Sequence, residues 1–95
     1  MIISFGDAAT EDLYDGNNTA RVRSLPQDVR ARALDKLDIL DAATSLEDLR
    51  APPSNHLEKL AGNLAGYHSI RVNKQWRIAF RWDGGAHEVR LLDYH

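Results

Sequence analysis

The sequence predicts a single α+β domain over residues 1–95, with two N-terminal helices packed on one face of a mostly antiparallel sheet of four or five strands. Apolar residues recur at helical spacing in the first half of the chain, and apolar and polar residues alternate in the last third. An Asp-Gly-Gly turn joins two of the alternating runs. Helical and extended patterns occupy different parts of the chain, which favours α+β over an alternating α/β order.

Composition limits the class of protein. The chain has 95 residues, a net charge of -2 and no cysteine. It therefore has room for one modest core and lacks the thiols of a disulfide framework, a thiolate nucleophile or a Cys-based zinc site. No apolar run approaches membrane-spanning length, and the N-terminus does not resemble a signal peptide. The expected location is the cytoplasm, without a membrane partner.

The N-terminal quarter is predicted to contain a short strand and a helix. Residues 2–5 form an apolar run that favours a strand. Asp7 is positioned to cap a helix over 8–14, because its carboxylate can accept a hydrogen bond from a first-turn amide. Residues 19–25 are interpreted as a linker.

The long helix is predicted to run from Pro26 to about Ala43. Ser45 and Asp48 then have the spacing of a capping box for a single turn over 46–50. Helical periodicity indicates which residues pack on the sheet, namely Val29, Ala33, Leu37 and Leu40. We expect the long helix to pack on the sheet face that carries Ile70, Ile78, Phe80 and Val89.

The predicted strands cover residues 56–60, 67–73, 75–82 and 87–92. Alternation in the third of them places Trp76, Ile78, Phe80 and Trp82 on one face, and Arg77 and Arg81 on the other. If the preceding strand shares its apolar face, Arg71 joins the polar face and Lys74 lies at the turn. A half-buried sheet usually carries mixed polar residues outward, so a mainly cationic face is the functional clue.

This face and the chain end hold the residue types for metal-free RNA cleavage, in which a 2′-hydroxyl attacks the adjacent phosphate. That reaction needs a base, an acid and fixed cations near the phosphate. His95 is the expected acid or base because the pKa of imidazole lies near neutrality. Arg77 is the expected phosphate clamp, since a guanidinium binds two oxygens at once. Tyr94 is expected to stack on a splayed base or to donate to the phosphate.

The same residues also have structural interpretations. Arginines on a strand face are commonly solvated charges or edge protection, and a chain end can fray. Alternation continued from Val89 places Asp93 and His95 on the core side, so a bulge or loose end is needed to turn His95 outward. A zinc site is not expected, because only Asp93 and His95 have locally compatible spacing. The residues alone leave both interpretations open.

Three segments carry a resemblance to a known family. They are G-x-x-x-G-x-x-S-I-x-V-N at 62–73, W-R-I-x-F-x-W at 76–82 and the closing D-Y-H at 93–95. Together they resemble the HigB toxins of the RelE/ParE superfamily, the "killer proteins" of plasmid maintenance systems. The likeness extends over nearly the whole chain and implies a RelE-like fold.

The resemblance implies a type II toxin–antitoxin toxin. Such a protein is an endoribonuclease that cuts mRNA in the ribosomal decoding site, needs no metal or other cofactor, and inhibits translation. The implied partners are the ribosome, mRNA and a HigA-type helix-turn-helix antitoxin. The toxin–antitoxin complex is expected to repress its own operon, with operator DNA contacted mainly through the antitoxin.

The resemblance also transfers site residues. Arg77 and the terminal Asp93, Tyr94 and His95 match the family's catalytic positions. The expected RNA-binding residues of this chain are His56, Arg71, Lys74 and Arg81.

The upstream part of the family site is altered. Well-known members have a His-Pro-Leu-Lys-Gly segment there, and a gapless alignment puts Glu58 at its His position and Ala61 at its Lys position. We expect Glu58 to act as the base, and Lys59 or Arg71 to supply the missing cation. His56 and Lys59 have the same His-x-x-Lys spacing two residues earlier. A weaker or differently specific nuclease is expected.

Two alternatives belong to other functional classes. A gyrase-poisoning, ParE-like toxin would act by binding protein without nuclease chemistry, and the terminal Asp93-Tyr94-His95 argues against it. A weakly active or degenerate toxin would act as a co-repressor with its antitoxin, and the altered positions Glu58 and Ala61 favour this alternative. Toxicity on expression without antitoxin discriminates them.

Overall fold

A computed structural model describes residues 1–93, and their element order is helices first and sheet afterwards, as the α+β prediction requires. Tyr94 and His95 lie outside the described residues. None of the described helices is long and apolar enough to cross a membrane. The helices are α1 (Ala8–Asp15), α2 (Ala20–Arg23) and α3 (Gln27–Ala42), and the strands are β1 (Glu58–Lys59), β2 (His68–Arg71), β3 (Trp76–Trp82) and β4 (Ala86–Asp93).

The helix ends follow the predicted capping chemistry. The amide of Thr10 donates to Asp7 Oδ1 at 2.8 Å, so Asp7 caps α1. Ser45 and Asp48 form the predicted capping box of a 3₁₀ turn over Leu46–Arg50. The predicted packing face of α3 is confirmed, since its buried residues are Val29, Ala33, Leu37 and Leu40.

Two N-terminal predictions differ in detail. Residues 2–5 make isolated parallel bridges, in which Ile2 pairs with Ala86 and Phe5 with Val89, rather than a full strand. The predicted linker over 19–25 contains the single-turn helix α2, because Val22 is buried in the core and holds this segment against its neighbours. A four-residue helix is too short for periodicity to reveal.

The sheet is antiparallel and follows chain order, β1-β2-β3-β4. The β3–β4 hairpin turns at the predicted Asp83-Gly84-Gly85, where Gly84 has φ +66. The predicted strand over 56–60 is reduced to β1, because His56 has a left-handed backbone with φ 44 and ends the preceding 3₁₀ turn. An irregularity between Ala79 and Arg81 faces Glu88, whose φ is 53, and marks a β-bulge in β4.

The helix-facing side of the sheet holds the main core. Ile70, Ile78, Phe80 and Val89 are fully buried there and belong to one cluster with α3. This confirms the side predicted to pack against the long helix.

The opposite face is not open, and the prediction of an open arginine face is wrong in this respect. A second, smaller apolar cluster lies there, in which Leu60 and Tyr67 pack on Ala79 and Leu92. The segment between β1 and β2 folds over the middle of the face because its own apolar side chains are buried there. Arg77, on the same face, is 8% exposed. We call this side of the sheet, with Glu58, Ser69, Arg71, Arg77, Ala79, Arg90 and Leu92 on it, the arginine face.

Candidate active site

Arg77 lies in the middle of the arginine face. It pairs across the sheet with Arg71 on β2 and with Leu92 on β4. Only 10% of its side chain is accessible. A guanidinium remains charged in proteins and is expensive to bury without hydrogen-bond partners. Its partners therefore determine what Arg77 can do.

Two anchors fix the guanidinium of Arg77. Its Nε donates to Ser69 Oγ at 2.7 Å, and one terminal nitrogen donates to the carbonyl oxygen of His56 at 2.6 Å. Ser69 is itself 1% exposed, so its hydroxyl is held in place by packing. Bonds at two positions of a planar group define its orientation as well as its location.

The carbonyl of His56 is held in place by the neighbouring Asn55. This side chain is fully buried, and its Nδ2 donates to the carbonyl oxygens of Leu49 at 3.1 Å and Ala51 at 3.2 Å. Its Oδ1 accepts from Lys36 Nζ at 2.6 Å. Burial lowers the pKa of this lysine. Asn55 thus connects α3 to the segment that contacts Arg77, a role that was not predicted from the sequence.

Glu58 faces the same guanidinium. It pairs with Ser69 across β1 and β2, and its Oε1 lies 3.9 Å from the terminal nitrogen of Arg77. Its side chain is 52% exposed, so solvent or a ligand can reach the carboxylate. The structure therefore brings together an accessible carboxylate and a fixed cation, as expected from the sequence for Glu58 and Arg77.

Lys59 lies on the other side of the sheet. It pairs with His68, whose ring stacks on Phe80 at a centroid distance of 6.1 Å. Burial, followed by the charge of Lys59, lowers the pKa of His68. Neighbouring residues of a strand point to opposite faces, so Glu58 and Lys59 are separated by the sheet. The structure does not bring Lys59 to Arg77.

Arg81 lies near the far end of the arginine face, where it is tied to a tyrosine. Its Cζ is 4.8 Å from the ring centroid of Tyr67, and its Nε lies 3.0 Å from Glu88 Oε2. Arg90 contacts the same ring at 5.3 Å and donates to the Tyr67 hydroxyl at 3.0 Å. That hydroxyl donates in turn to Glu88 Oε1 at 3.1 Å. The bulge at Glu88 therefore places its carboxylate against Arg81.

The other predicted RNA-binding residues lie at the opposite end of the sheet. His56, Arg71 and Lys74 line a groove between α3 and the β2–β3 turn. Lys74 is at that turn, as predicted. The side chain of His56 is exposed even though its carbonyl is engaged by Arg77.

Asp93 is the last described residue and completes β4. It pairs with Trp76, and Gln75 Nε2 donates to both carboxylate oxygens at 3.0 and 3.1 Å. Leu92, one residue earlier, is opposite Arg77. The described part of β4 therefore ends one residue after the cross-strand partner of Arg77. The predicted acid His95 and its neighbour Tyr94 lie beyond this point, outside the described residues.

Similarity to known proteins agrees with this geometry. A family model described as the RelE-like toxin of type II toxin–antitoxin system HigB matches residues 3–95. The chain belongs to this HigB-like toxin family. The match covers the whole described sheet together with the terminal segment, so the resemblance found in the three sequence segments is confirmed.

Two named relatives agree with this assignment. The chain is 43% identical over 95 residues to "Toxin HigB-1" of Vibrio cholerae serotype O1, covering 100% of this chain and 98% of the relative. It is 35% identical over 96 residues to "Endoribonuclease HigB" of Proteus vulgaris, covering 100% of both chains. An uncharacterized protein of Haemophilus influenzae is 38% identical over 80 residues, 84% of this chain and 76% of that one. This HigB-like protein is thus a type II toxin–antitoxin toxin.

Proposed function

We propose that this HigB-like toxin is a ribosome-dependent endoribonuclease that cleaves mRNA in the cytoplasm and so inhibits translation. The observation that carries the proposal is the buried, doubly anchored guanidinium of Arg77 beside the accessible carboxylate of Glu58. A pre-oriented cation does not need to reorganise when charge develops on a phosphate, which makes it effective in the transition state. The name of the Proteus vulgaris relative is consistent with this activity.

In the proposed reaction, Glu58 accepts the proton of the ribose 2′-hydroxyl. The 2′-oxygen forms a bond to phosphorus while the bond from phosphorus to the 5′-oxygen breaks. His95 donates a proton to that leaving oxygen, so the products are a 2′,3′-cyclic phosphate and a 5′-hydroxyl end. Arg77 binds the non-bridging oxygens throughout, and no redox step or additional reactant is required.

Arg71 is the better candidate for the second cation at this site. It pairs directly with Arg77 and projects to the same face, whereas Lys59 projects to the other. We propose that Asp93 and Tyr94 position the chain end and the flanking base, respectively. The proposed partners are the ribosome, mRNA and a HigA-type antitoxin, which would contact operator DNA in the repressing complex.

The test is induced expression without antitoxin, with growth measured and cuts on a translated mRNA mapped by primer extension. Wild type is compared with a chain lacking His95 and with Glu58→Gln, and Glu47→Gln serves as the matched control because Glu47 is an exposed glutamate away from Arg77. We expect toxicity and in-frame cuts for wild type and control. Both should be lost or strongly reduced in the other two chains.

Two results would contradict the nuclease proposal. Toxicity without mRNA cuts would favour a gyrase-type mode of action. Full toxicity and cutting after loss of His95 and of the Glu58 carboxylate would remove both proposed proton-transfer groups from the mechanism.

A further inference from the structure

A groove of about 690 Å³ separates the middle of α3 from the β2–β3 turn. Three parts of the chain that are distant in sequence form its walls: α3, the segment around His56 and the turn that follows β2. Its charged side chains are Arg32, Asp35, Lys36, Arg71 and Lys74. Four cations and one carboxylate thus meet in a chain whose net charge is -2, so the positive charge here does not reflect overall composition.

Three of the groove cations differ from several arginines elsewhere in the chain, because no carboxylate of the described residues lies within ion-pair distance of them. Arg21, Arg50 and Arg81 each lie within 4 Å of a carboxylate. Among residues 1–93, none of the ion pairs includes Arg32, Arg71 or Lys74. These three charges are therefore not neutralised by a carboxylate of the described chain at that distance.

Two of the groove cations have hydrogen-bond partners within the described chain. Arg71 Nε donates to the nearby carbonyl oxygen of Asn73 at 3.1 Å, whereas Lys36 is bonded to a more distant side chain. The Nζ of Lys36 donates to Asn55 Oδ1, which supports the segment carrying the His56 carbonyl. We therefore expect Lys36 to stabilise the wall of the groove rather than to contact a ligand. Arg32 and Lys74 are exposed on opposite walls and are the side chains best placed to contact a ligand.

The groove continues into the candidate active site. His56 lines the groove with its side chain and accepts from Arg77 with its carbonyl oxygen. Arg71 lines the groove and is the direct cross-strand partner of Arg77. His56 and Arg71 therefore connect the groove with the position of Arg77.

We propose that the groove between α3 and the β2–β3 turn is a second RNA-backbone site, in which Arg32, Arg71 and Lys74 bind phosphates adjoining the one at Arg77. The site deepens the proposed nuclease function and rests on RNA being its ligand. Single-stranded RNA suits the groove because its backbone carries regularly spaced charges that separate cations can neutralise one by one. Asp35 is the repulsive group within this site.

The proposal is tested by the affinity and salt dependence of RNA binding. The probe is a fluorescent single-stranded oligoribonucleotide with 2′-O-methyl groups, which blocks 2′-hydroxyl attack. The double variant Arg32→Gln/Lys74→Gln should bind about tenfold more weakly at about 50 mM salt. Its slope of log K against log salt should be smaller by about 1.4, since each phosphate contact to a single strand contributes about 0.7.

The control is Arg21→Gln/Arg23→Gln, which removes the same charge from exposed arginines of α2, away from the groove. It should leave the slope unchanged, and thermal unfolding should show that both double variants are folded. Asp35→Asn gives an independent test, because removing the repulsive carboxylate should tighten binding about twofold to fivefold at low salt. Equal slopes for the groove and control variants, with no gain for Asp35→Asn, would overturn the proposal.

A second arm identifies the RNA. Loss of oligonucleotide binding indicates that the groove holds the mRNA strand. Unchanged oligonucleotide binding with weaker cosedimentation on ribosomes, again relative to the control, would indicate ribosomal RNA instead and would overturn the assignment of the groove to the strand held at Arg77. Because the probe cannot be cleaved, these results do not depend on nuclease chemistry. A groove effect without any mRNA cutting by wild type would reject the proposed activity while supporting the RNA site.

Discussion

Two neighbouring residues of strand β3, Arg77 and Ile78, are both buried, but on opposite faces of the sheet and in different surroundings. Ile78 lies under the helices in a continuous apolar cluster with Ile70 and Phe80. Arg77, one residue earlier, is almost as buried but is surrounded by a hydroxyl, a carbonyl and a carboxylate. On the helix face, apolar side chains pack against one another without directional contacts. On the arginine face, Arg77 is held by hydrogen bonds and a nearby carboxylate.

This difference leads us to expect that stability and the proposed nuclease function depend on different faces of the sheet. Burial of apolar area contributes most of the folding free energy and depends little on direction. Holding a cation at a defined point requires partners with fixed geometry, which here come from Ser69 and His56. We therefore expect substitutions on the helix face to act mainly on unfolding, and substitutions around Arg77 to act on cleavage as well as on stability.

The largest expected effect on stability comes from Phe80→Ala. Phe80 is fully buried on the helix face, and truncating such a residue leaves a cavity. We expect a loss of about 3–5 kcal/mol in the free energy of unfolding. Urea unfolding monitored by circular dichroism would measure it. A loss below about 1 kcal/mol would contradict the assignment of this face as the main core.

Ser69→Ala tests the arginine face, because it removes a hydrogen-bond partner of Arg77. It leaves Arg77 Nε buried without its partner, which should cost about 1–3 kcal/mol. Single-turnover mRNA cleavage on ribosomes should fall about tenfold or more, because the guanidinium loses one of its two anchors. Ser69→Thr keeps the hydroxyl and should restore most of the rate.

A double-mutant cycle of Ser69→Ala with Arg77→Gln separates positioning from a general packing effect. The two losses in rate should be far from additive if Ser69 acts through Arg77. Additive losses would mean that Ser69 affects cleavage independently of the guanidinium.

The smallest expected effect is a pH dependence from His68 on the helix side. Burial and Lys59 lower its pKa below the ordinary 6.5, so below that pH the unfolded chain takes up a proton more readily than the folded one. The free energy of unfolding should therefore fall as pH decreases from about 6.5 through the lower folded pKa. His68→Gln should flatten this dependence in denaturant titrations, and the control His87→Gln should retain it. An unchanged slope for His68→Gln would refute the assignment.

Much of the fold was predictable because it follows from repeated patterns. Helical spacing identified the buried face of α3 from Val29 to Leu40, and the Asp83-Gly84-Gly85 turn set the β3–β4 hairpin. The strand predicted over 56–60 was too long, since its length depends on the left-handed backbone of His56 rather than on alternation. Features determined by one residue or one turn of helix leave little periodic signal.

The candidate site was predictable only in part. Alternation predicted Arg71 and Arg77 on one face, and the structure confirms this. The same prediction counted Lys59 among the site residues with Glu58, but Lys59 follows Glu58 directly in β1 and points to the opposite face of the sheet. The burial of Arg77 was not predictable, because its contacts with Ser69 and the His56 carbonyl depend on how the segment before β1 folds against the sheet. The role of Asn55 depends on contacts with α3 and with two backbone carbonyls, which a local pattern does not show.

The most direct test of the central claim compares Arg77→Lys with Ile78→Val. These neighbours are both buried and lie on opposite faces of β3. The rate of mRNA cleavage on ribosomes and the free energy of unfolding are measured for each protein. Arg77→Lys should lower the rate by about 10²-fold or more, because lysine cannot reproduce the two-point anchoring and bidentate phosphate contact.

Ile78→Val should instead lower the free energy of unfolding by about 0.5–1.5 kcal/mol and leave the rate of the folded protein near that of wild type. Cleavage by Arg77→Lys at the wild-type rate would contradict the claim that the buried guanidinium is the centre of the active site.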